Sequence, residues 1–327
     1  MLKTGISKNP KIVLLGAGTG QAQVLRSLRD KPAVAIVGVT DSGGHSGRLR
    51  KLFGIPAVGD LRNCIAALAE SRRPWGTLLG WRFTEGDLDG VSLGNLLLAS
   101  LVRSTGSLSR AAEALQAALG TPARALPVSD ADAQVCARLA SGKTLIGEWN
   151  ILMRKDRSPI HSVFHRPAIR ACARATRAVA QSGLIVLCPG TLYTGVLSCA
   201  TAEGLPQAIR RSRGRLVQIL NIMTQPGQTD GMGASAHVEA VSRALGRRPD
   251  LVIVNTGEPL PSHARLYARL GARPVVDDLT GPGILRGDFV LRDGDERQVA
   301  RGQAIPSLPH LIRHDPARLR RALLRLT

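Results

Sequence analysis

Aromatic side chains are scarce in this 327-residue chain, where Phe, Trp and Tyr make up 3% of the residues. Single-stranded nucleic acids are held by stacking on such rings, so the formal charge of +20 lacks its usual companion. The basic residues are mostly Arg and are scattered along the chain. A compositional preference for Arg, together with attraction for anionic small molecules, accounts for them, and nucleic acid is not expected as the main partner. Cysteine is scarce as well. Cys64, Cys136, Cys172, Cys188 and Cys199 form an odd set of 5 with no Cys-x-x-Cys pair. That spacing argues against a disulfide framework or a zinc site and for reduced thiols in a cytoplasmic protein. No apolar run approaches the length of a membrane helix, and MLKTGISKNPK lacks the apolar stretch of a secretory leader. Neither membrane insertion nor export is expected. The turn Gly16–Gly20 carries no Gly-Lys-Ser/Thr triplet, which excludes a Walker A loop there, and Gln21 stands where G-x-G-x-x-G needs its last glycine. There is no repeat of solenoid period.

What is present is organised around residues 11–48. The apolar run Ile12–Leu15 reads as a buried parallel strand. Gly16-Ala17-Gly18-Thr19-Gly20 follows at once, and Val24, Leu25 and Leu28 then recur at helical spacing. A second apolar run, Val34–Val39, ends in Thr40-Asp41. In a strand–glycine turn–helix–strand unit, backbone N–H groups at the helix start face an anion and the helix dipole favours it there. Phosphate on Gly16, Gly18, Thr19 and Gly20 is the expected ligand, against the plainer reading of a tight turn with no ligand. Asp41 is placed to take a ribose hydroxyl or a metal ion. Gly43, Gly44, Ser46 and Arg48 follow in a second glycine cluster, with the chemistry for a diphosphate and a divalent ion such as magnesium.

Further along, Asp60 opens a helix and is expected to act as its N-cap, with Asn63 beside it. Residues 71–91, rich in Gly and Pro and holding Trp75 and Trp81, are expected to form a lid-like excursion over the site. Asn95, at the mouth of the apolar helix after Ser92-Leu93-Gly94, must satisfy its amide with a ligand or with nearby backbone. Residues 123–166 are expected to form a smaller inserted subdomain, with Lys143–Glu148 as one of its strands, and Pro167–Ala180 a helix. Leu184–Cys188 is a buried strand ending in Pro189-Gly190-Thr191-Leu192-Tyr193-Thr194. Leu216–Leu220 ends in Asn221, with Thr224 and Gln225 close behind, and Leu251–Val254 ends in Asn255-Thr256-Gly257. A parallel sheet sets such loops on one rim, where ligands of open α/β sheets bind. Pro274–Asp278 reads as a late strand. Residues 300–327 form a helical tail that either docks on its own chain or serves a homodimer contact.

The motifs occur in a fixed order: Gly16-Ala17-Gly18-Thr19-Gly20, Asp41-Ser42-Gly43-Gly44-His45-Ser46-Gly47-Arg48-Leu49-Arg50, Gly59-Asp60-Leu61-Arg62-Asn63-Cys64, Ser92-Leu93-Gly94-Asn95, Pro189-Gly190-Thr191-Leu192-Tyr193-Thr194 and Asn221-Ile222-Met223-Thr224-Gln225-Pro226-Gly227. Together they resemble the family that joins the 2-phospho-L-lactate transferases (CofD-like) to the bacterial gluconeogenesis factors (YvcK-like), over roughly residues 11–290. The last motif and Gly47-Arg48-Leu49-Arg50 resemble the second branch. The resemblance implies one Rossmann-like α/β domain across residues 1–327, with a mostly parallel sheet, helices on both faces and the inserted subdomain. For the gluconeogenesis-factor branch it implies a UDP-sugar ligand and a link to cell shape and growth on gluconeogenic carbon. For the transferase branch it implies magnesium-dependent transfer of a phospholactyl group from a guanosine diphosphate conjugate to a deazaflavin, in the coenzyme F420 pathway. Ser42 stands where the family commonly has a second acidic or amide residue, which tilts the reading away from the transferase. Val91 replaces a common His, and Ala17 a common Gly.

The leading expectation is therefore a nucleotide-sugar-binding protein. Gly18, Thr19 and Gly20 would hold the diphosphate, with Gly190, Thr191 and Asn221 near base or sugar and Asn95 on a phosphate or sugar hydroxyl. The enzyme alternative uses Asp41, Asp60 and Arg48 as metal ligand, second carboxylate and clamp. Binding of a dinucleotide such as NAD without turnover stands third.

Overall fold

A computed structural model of the chain describes residues 11–69, 74–292 and 311–327. Its centre is a seven-stranded sheet, all of whose pairings are parallel. The ten strands in chain order are β1 Ile12–Gly16, β2 Ala33–Val37, β3 Arg124–Pro127, β4 Gln134–Leu139, β5 Thr144–Ile146, β6 Ile160–Arg166, β7 Leu184–Leu187, β8 Arg215–Ile219, β9 Leu251–Asn255 and β10 Ile284–Gly287. The large sheet has the order β10-β9-β8-β7-β1-β2-β3, and a small antiparallel sheet has the order β5-β4-β6. Every residue of β1, β2 and β7 is buried, whichever face its side chain takes. Such unbroken burial marks a sheet covered by helices on both sides and explains why these strands read as continuous Val, Ile and Leu runs.

Several expectations shift by a few residues, each for a packing reason. β3 belongs to the large sheet, because Ala125 and Leu126 pair in register with Ala35 and Ile36 and are buried there. Of the segment expected as the subdomain, only β4–β6, within 134–166, form a separate sheet. The expected strand Lys143–Glu148 stops at Ile146, and Glu148 starts a short helix, Glu148–Leu152. The helix expected from Pro167 begins at Ala173, after Arg170 has bridged to Glu203. Pro274–Asp278 is not a strand. The edge strand is β10, while Asp277 is tied to Arg286 and Asp278 to Ser235.

The excursion after residue 70 is described from residue 74. It forms helix Pro74–Gly80 and a 3-10 turn, Gly86–Leu88. It packs on helix Gly44–Phe53, where the Arg48 guanidinium donates to the Asp87 carbonyl at 2.8 Å. Residues 1–10, 70–73 and 293–310, which include most of MLKTGISKNPK and much of the expected tail, lie outside the described residues. The last helix, Pro316–Leu324, docks on its own chain. Leu319 and Leu323 are buried, and Arg320 bonds to Asp30 and to the Ser27 carbonyl at the end of helix Gly18–Ser27. All five cysteines are free. No helix among the described residues is long and apolar enough to cross a membrane.

Candidate functional site

The strand order fixes where a ligand can enter. From β1 the chain steps to β2 and β3 on one side. It then returns to β7, the other neighbour of β1, and continues outward through β8, β9 and β10. The loops after β1 and β7 diverge at this reversal and leave a crevice beyond the carboxyl ends of the strands. A cavity of about 310 Å³ fills it. Ala17–Gly20 after β1, Thr40 and Asp41 after β2, Pro189–Thr191 after β7 and Asn221–Gln225 after β8 all line this cavity. The fifth expected loop does not. Asn255 turns its amide on itself, accepting from Gly257 and Phe289 and donating to the Gly257 carbonyl.

The floor is backbone against backbone. Gly18 sits at φ +73°, a conformation that L side chains rarely adopt. A methyl group added to Gly20 would overlap the Pro189 carbonyl oxygen. Helix Gly18–Ser27 has no side-chain cap, so its first N–H groups lack the usual internal partner. The amide of Gly18 is taken by the Asp60 carboxyl. Asp60 is therefore not the N-cap of helix Gly59–Leu68, a place held by Val58. It sits in that helix's first turn and serves the neighbouring one.

Three carboxyls share one wall: Asp41, Asp60 and Glu148, the last brought in by the inserted subdomain. The Gly43 N–H donates to Asp41 Oδ1 at 2.8 Å, the Ser42 N–H donates to Glu148 Oε2 at 3.2 Å, and Asp41 and Glu148 bond to each other. Burial raises all three pKa values. For Asp60 burial and the Asp41 charge together push it to about 7. Glu148 is pushed well up by burial and by the charges of Asp41 and Asp60. For Asp41 the Gly43 amide opposes the effect of burial. Among the described residues no group of three or more His, Cys, Asp or Glu is arranged to hold a metal ion by itself.

Other expected site residues shape the cavity from behind. The Asn221 amide clamps Gly190, accepting from its N–H at 2.9 Å and donating to its carbonyl at 2.6 Å. Leu192 and Tyr193 begin a wide π-helical turn, Leu192–Leu197, and lie behind the cavity lining. The Tyr193 and Thr194 amides are not presented to a ligand, because both donate to Gln228 Oε1. Asn95 stands off the cavity, buried beside Arg62, whose Nε donates to its Oδ1 at 3.2 Å. The partner of its side chain is thus another side chain, neither ligand nor backbone, while its main-chain N–H donates to Ser92 Oγ, the cap of its own helix. Gly16, Gly43, Ser46, Asn63 and Arg48 are likewise outside the lining, and Gly44 opens helix Gly44–Phe53. Gly18, Thr19, Gly20, Asp41, Asp60, Gly190, Thr191, Asn221, Thr224 and Gln225 are in it.

A second wall was not foreseen. Tyr267, Ile312, Arg313, His314 and Leu319, from the C-terminal part of the chain, line the cavity together with Ile222 and Met223 of the loop after β8. Residues 313–315 pair with 289–291, Leu291 N–H donating to the Arg313 carbonyl and Asp315 N–H to the Phe289 carbonyl.

Residues 12–287 match the family described as 2-phospho-L-lactate transferase CofD. The chain belongs to the CofD family. Within it, the chain is 36% identical over 298 residues to the Gluconeogenesis factor of Halalkalibacterium halodurans, covering 88% of this chain and 92% of that one. It is 33% identical over 318 residues to the Gluconeogenesis factor of Bacillus subtilis, covering 95% and 96%. A crystal structure of a UPF0052 family member from Bacillus halodurans superposes with a TM-score of 0.86 at 34% identity, covering 97% of this chain and 99% of that one. The family assignment thus agrees with the order of the motifs, and its gluconeogenesis-factor branch with their detail.

Proposed function

We propose that this CofD family member is a cytoplasmic nucleotide-sugar-binding protein of the gluconeogenesis-factor type, its ligand a uridine diphosphate sugar and its role tied to cell shape and growth on gluconeogenic carbon. One observation carries the reading. Four strand-end loops meet at the strand-order reversal around a single cavity, whose floor is a glycine turn and an uncapped helix start. That is the chemistry a diphosphate requires. The volume sits at the low end of small-molecule sites. Thr19 and Gly20 would take phosphate oxygens through their amides, and Thr191, Thr224 and Gln225 would reach sugar hydroxyls.

Magnesium fits the donor set in a limited way. It binds through one or two carboxylates and completes its shell with water and phosphate oxygens. Asp41 and Glu148, adjacent and reluctant to ionise together, offer that much and no more. The cation would relieve their mutual repulsion and leave the phosphates to finish its coordination.

Titration calorimetry with uridine diphosphate N-acetylglucosamine, with and without magnesium, tests the proposal. Saturable binding, strengthened by magnesium, is expected. A folded protein that gives no heat at millimolar ligand overturns it. The transferase reading is favoured by the carboxyl wall, since phosphoryl-type transfer rests on charge stabilisation and positioning. It lacks its clamp, because Arg48 is engaged with Asp87 away from the cavity. Product formed from a guanosine diphosphate conjugate, deazaflavin and magnesium, and lost in Asp41→Asn, would establish it.

A further inference from the structure

Scattered along the sequence, the arginines gather in space. The carboxyl wall stands where strands of the large sheet end. The opposite rim, where they start, is made of the loops that lead into β1, β2, β7, β8 and β9. Helix Gly18–Ser27 leads to β2, and helices Leu205–Arg211 and Ala234–Leu245 lead to β8 and β9, so all three bring their C-terminal ends to this rim. Crossovers between parallel strands are right-handed, and the chain steps from β1 to β2 in one direction and from β7 to β9 in the other. The first helix therefore covers one face of the sheet, and the other two cover the opposite face.

Two arginines of the rim hold the fold together. Arg247 donates to the carbonyls of Ile209, Ser212 and Gly214 and pairs with Asp250, and Arg210 donates to the Leu245 carbonyl. Other cations there have no such task. Among the described residues, the side chains of Lys11, Arg29, Arg211, Arg213, Arg215 and Arg248 have no hydrogen-bond or ion-pair partner, and all but the half-buried Arg29 are exposed. The carboxylates of the same loops are taken, Asp30 by Arg320 and Asp250 by Arg247. A helix dipole draws cations to its last turn, which accounts for Arg211. Arg213, Arg215 and Arg248 lie past the last turns, and Lys11 directly precedes β1. Their positive charge is left unmatched.

We propose that this rim rests on an anionic lipid surface and leaves the cavity, at the far end of the strands, open to solution. A headgroup layer is a plane of negative charge, and each Lys or Arg brought near it adds to the attraction. The unmatched cations flank both faces of the sheet and run from the start of β1 to that of β9, about 14 Å at the spacing of neighbouring strands. A plane meets such a two-dimensional array all at once. A nucleic-acid strand instead follows a groove and stacks its bases on rings, and the described residues of these loops hold no Phe, Trp or Tyr. None of the exposed large apolar side chains falls in them either. The contact is therefore electrostatic and reversible, with no wedge into the hydrocarbon. It does not depend on what fills the cavity.

The experiment is co-sedimentation of the full chain with vesicles of phosphatidylcholine alone or carrying about one-third phosphatidylglycerol. Wild type should sediment with the anionic vesicles only, and should be released when salt rises from about 0.1 M to about 0.5 M. Each rim cation is worth about 5-fold in partitioning, so Arg211→Gln, Arg213→Gln and Arg215→Gln together should weaken it about 100-fold. Lys11→Gln with Arg248→Gln, on other loops, should weaken it about 25-fold, which keeps the test alive if the triple variant fails to fold by circular dichroism. A control of equal charge, Arg103→Gln with Arg138→Gln and Arg265→Gln, removes exposed arginines away from the rim and should sediment like wild type. Equal sedimentation with both kinds of vesicle, or none by the folded wild type, overturns the proposal. So does a loss as large in the control as in the rim variants. Duplex DNA that strips the chain from the vesicles at equal phosphate concentration overturns it in favour of a nucleic-acid partner.

Discussion

The two walls of the cavity are built on opposite electrical terms. On one side Asp41, Asp60 and Glu148 crowd together with pKa values raised by burial. On the other, a buried His314 has its pKa lowered to about 4 among apolar neighbours. Both walls avoid charge, but they answer pH in opposite senses. Asp60 rises from 3.8 to about 7, so between those values the folded protein keeps a proton that the unfolded chain has released. Its stability contribution falls as pH climbs through that window. His314 drops from 6.5 to about 4, so there the unfolded chain gains a proton that the folded protein refuses. Its contribution falls as pH descends through that window.

The largest expected effect separates the walls directly. In chelator at pH 8, Asp60→Asn should be more stable than wild type by about 1–3 kcal/mol, and the gain should vanish near pH 4. Urea unfolding at the two pH values reads it, and a gain that is flat with pH would break the comparison. His314→Phe should show the mirror image. Its stability relative to wild type should improve by about 1–3 kcal/mol between pH 8 and pH 4.5. Next, Asn221→Ala removes both bonds that hold Gly190. A loss of about 1–2 kcal/mol is expected at every pH, together with weaker UDP-sugar binding. Millimolar magnesium should raise the melting temperature of wild type by a few degrees at pH 8 and leave Asp41→Asn unmoved, since a ligand stabilises only the state it binds. Smallest of all, Arg48→Ala cuts an exposed tie to Asp87 and should change stability by less than about 0.5 kcal/mol, with ligand affinity unaltered.

The acidic wall was half legible in the sequence and the neutral wall hardly at all. Asp41 announces itself by following a buried strand and preceding a glycine cluster, both local signals. Glu148 does not. It ends an apolar run that reads as a strand, and only the packing of the inserted subdomain against β2's loop shows that it faces Asp41. Asp60 looks like a cap because capping is the commonest role for Asp at a helix start, whereas it captures the Gly18 amide of another helix. Asn95 and Tyr193 sit in the right motifs, but Arg62 and Gln228 satisfy them first, and partners 33 and 35 residues away leave no trace in local pattern. His314 lies in a tail whose period signals only a docking helix. The sheet was legible almost throughout because buried parallel strands need only apolar runs. Its slips came at the two edges: at β3, where the run is short and ends in Pro127, and at β10, which lies beyond the strand expected at Pro274–Asp278.

The contact between Gly20 and Pro189 has a consequence for substitution. Asp41, Glu148 and His314 meet the cavity as side chains, which substitution can change without moving the backbone. Position 20 admits no such change, because any side chain there would prise apart the two central strands' exits. The floor is set by backbone meeting backbone, and only the walls are open to exchange of side chains.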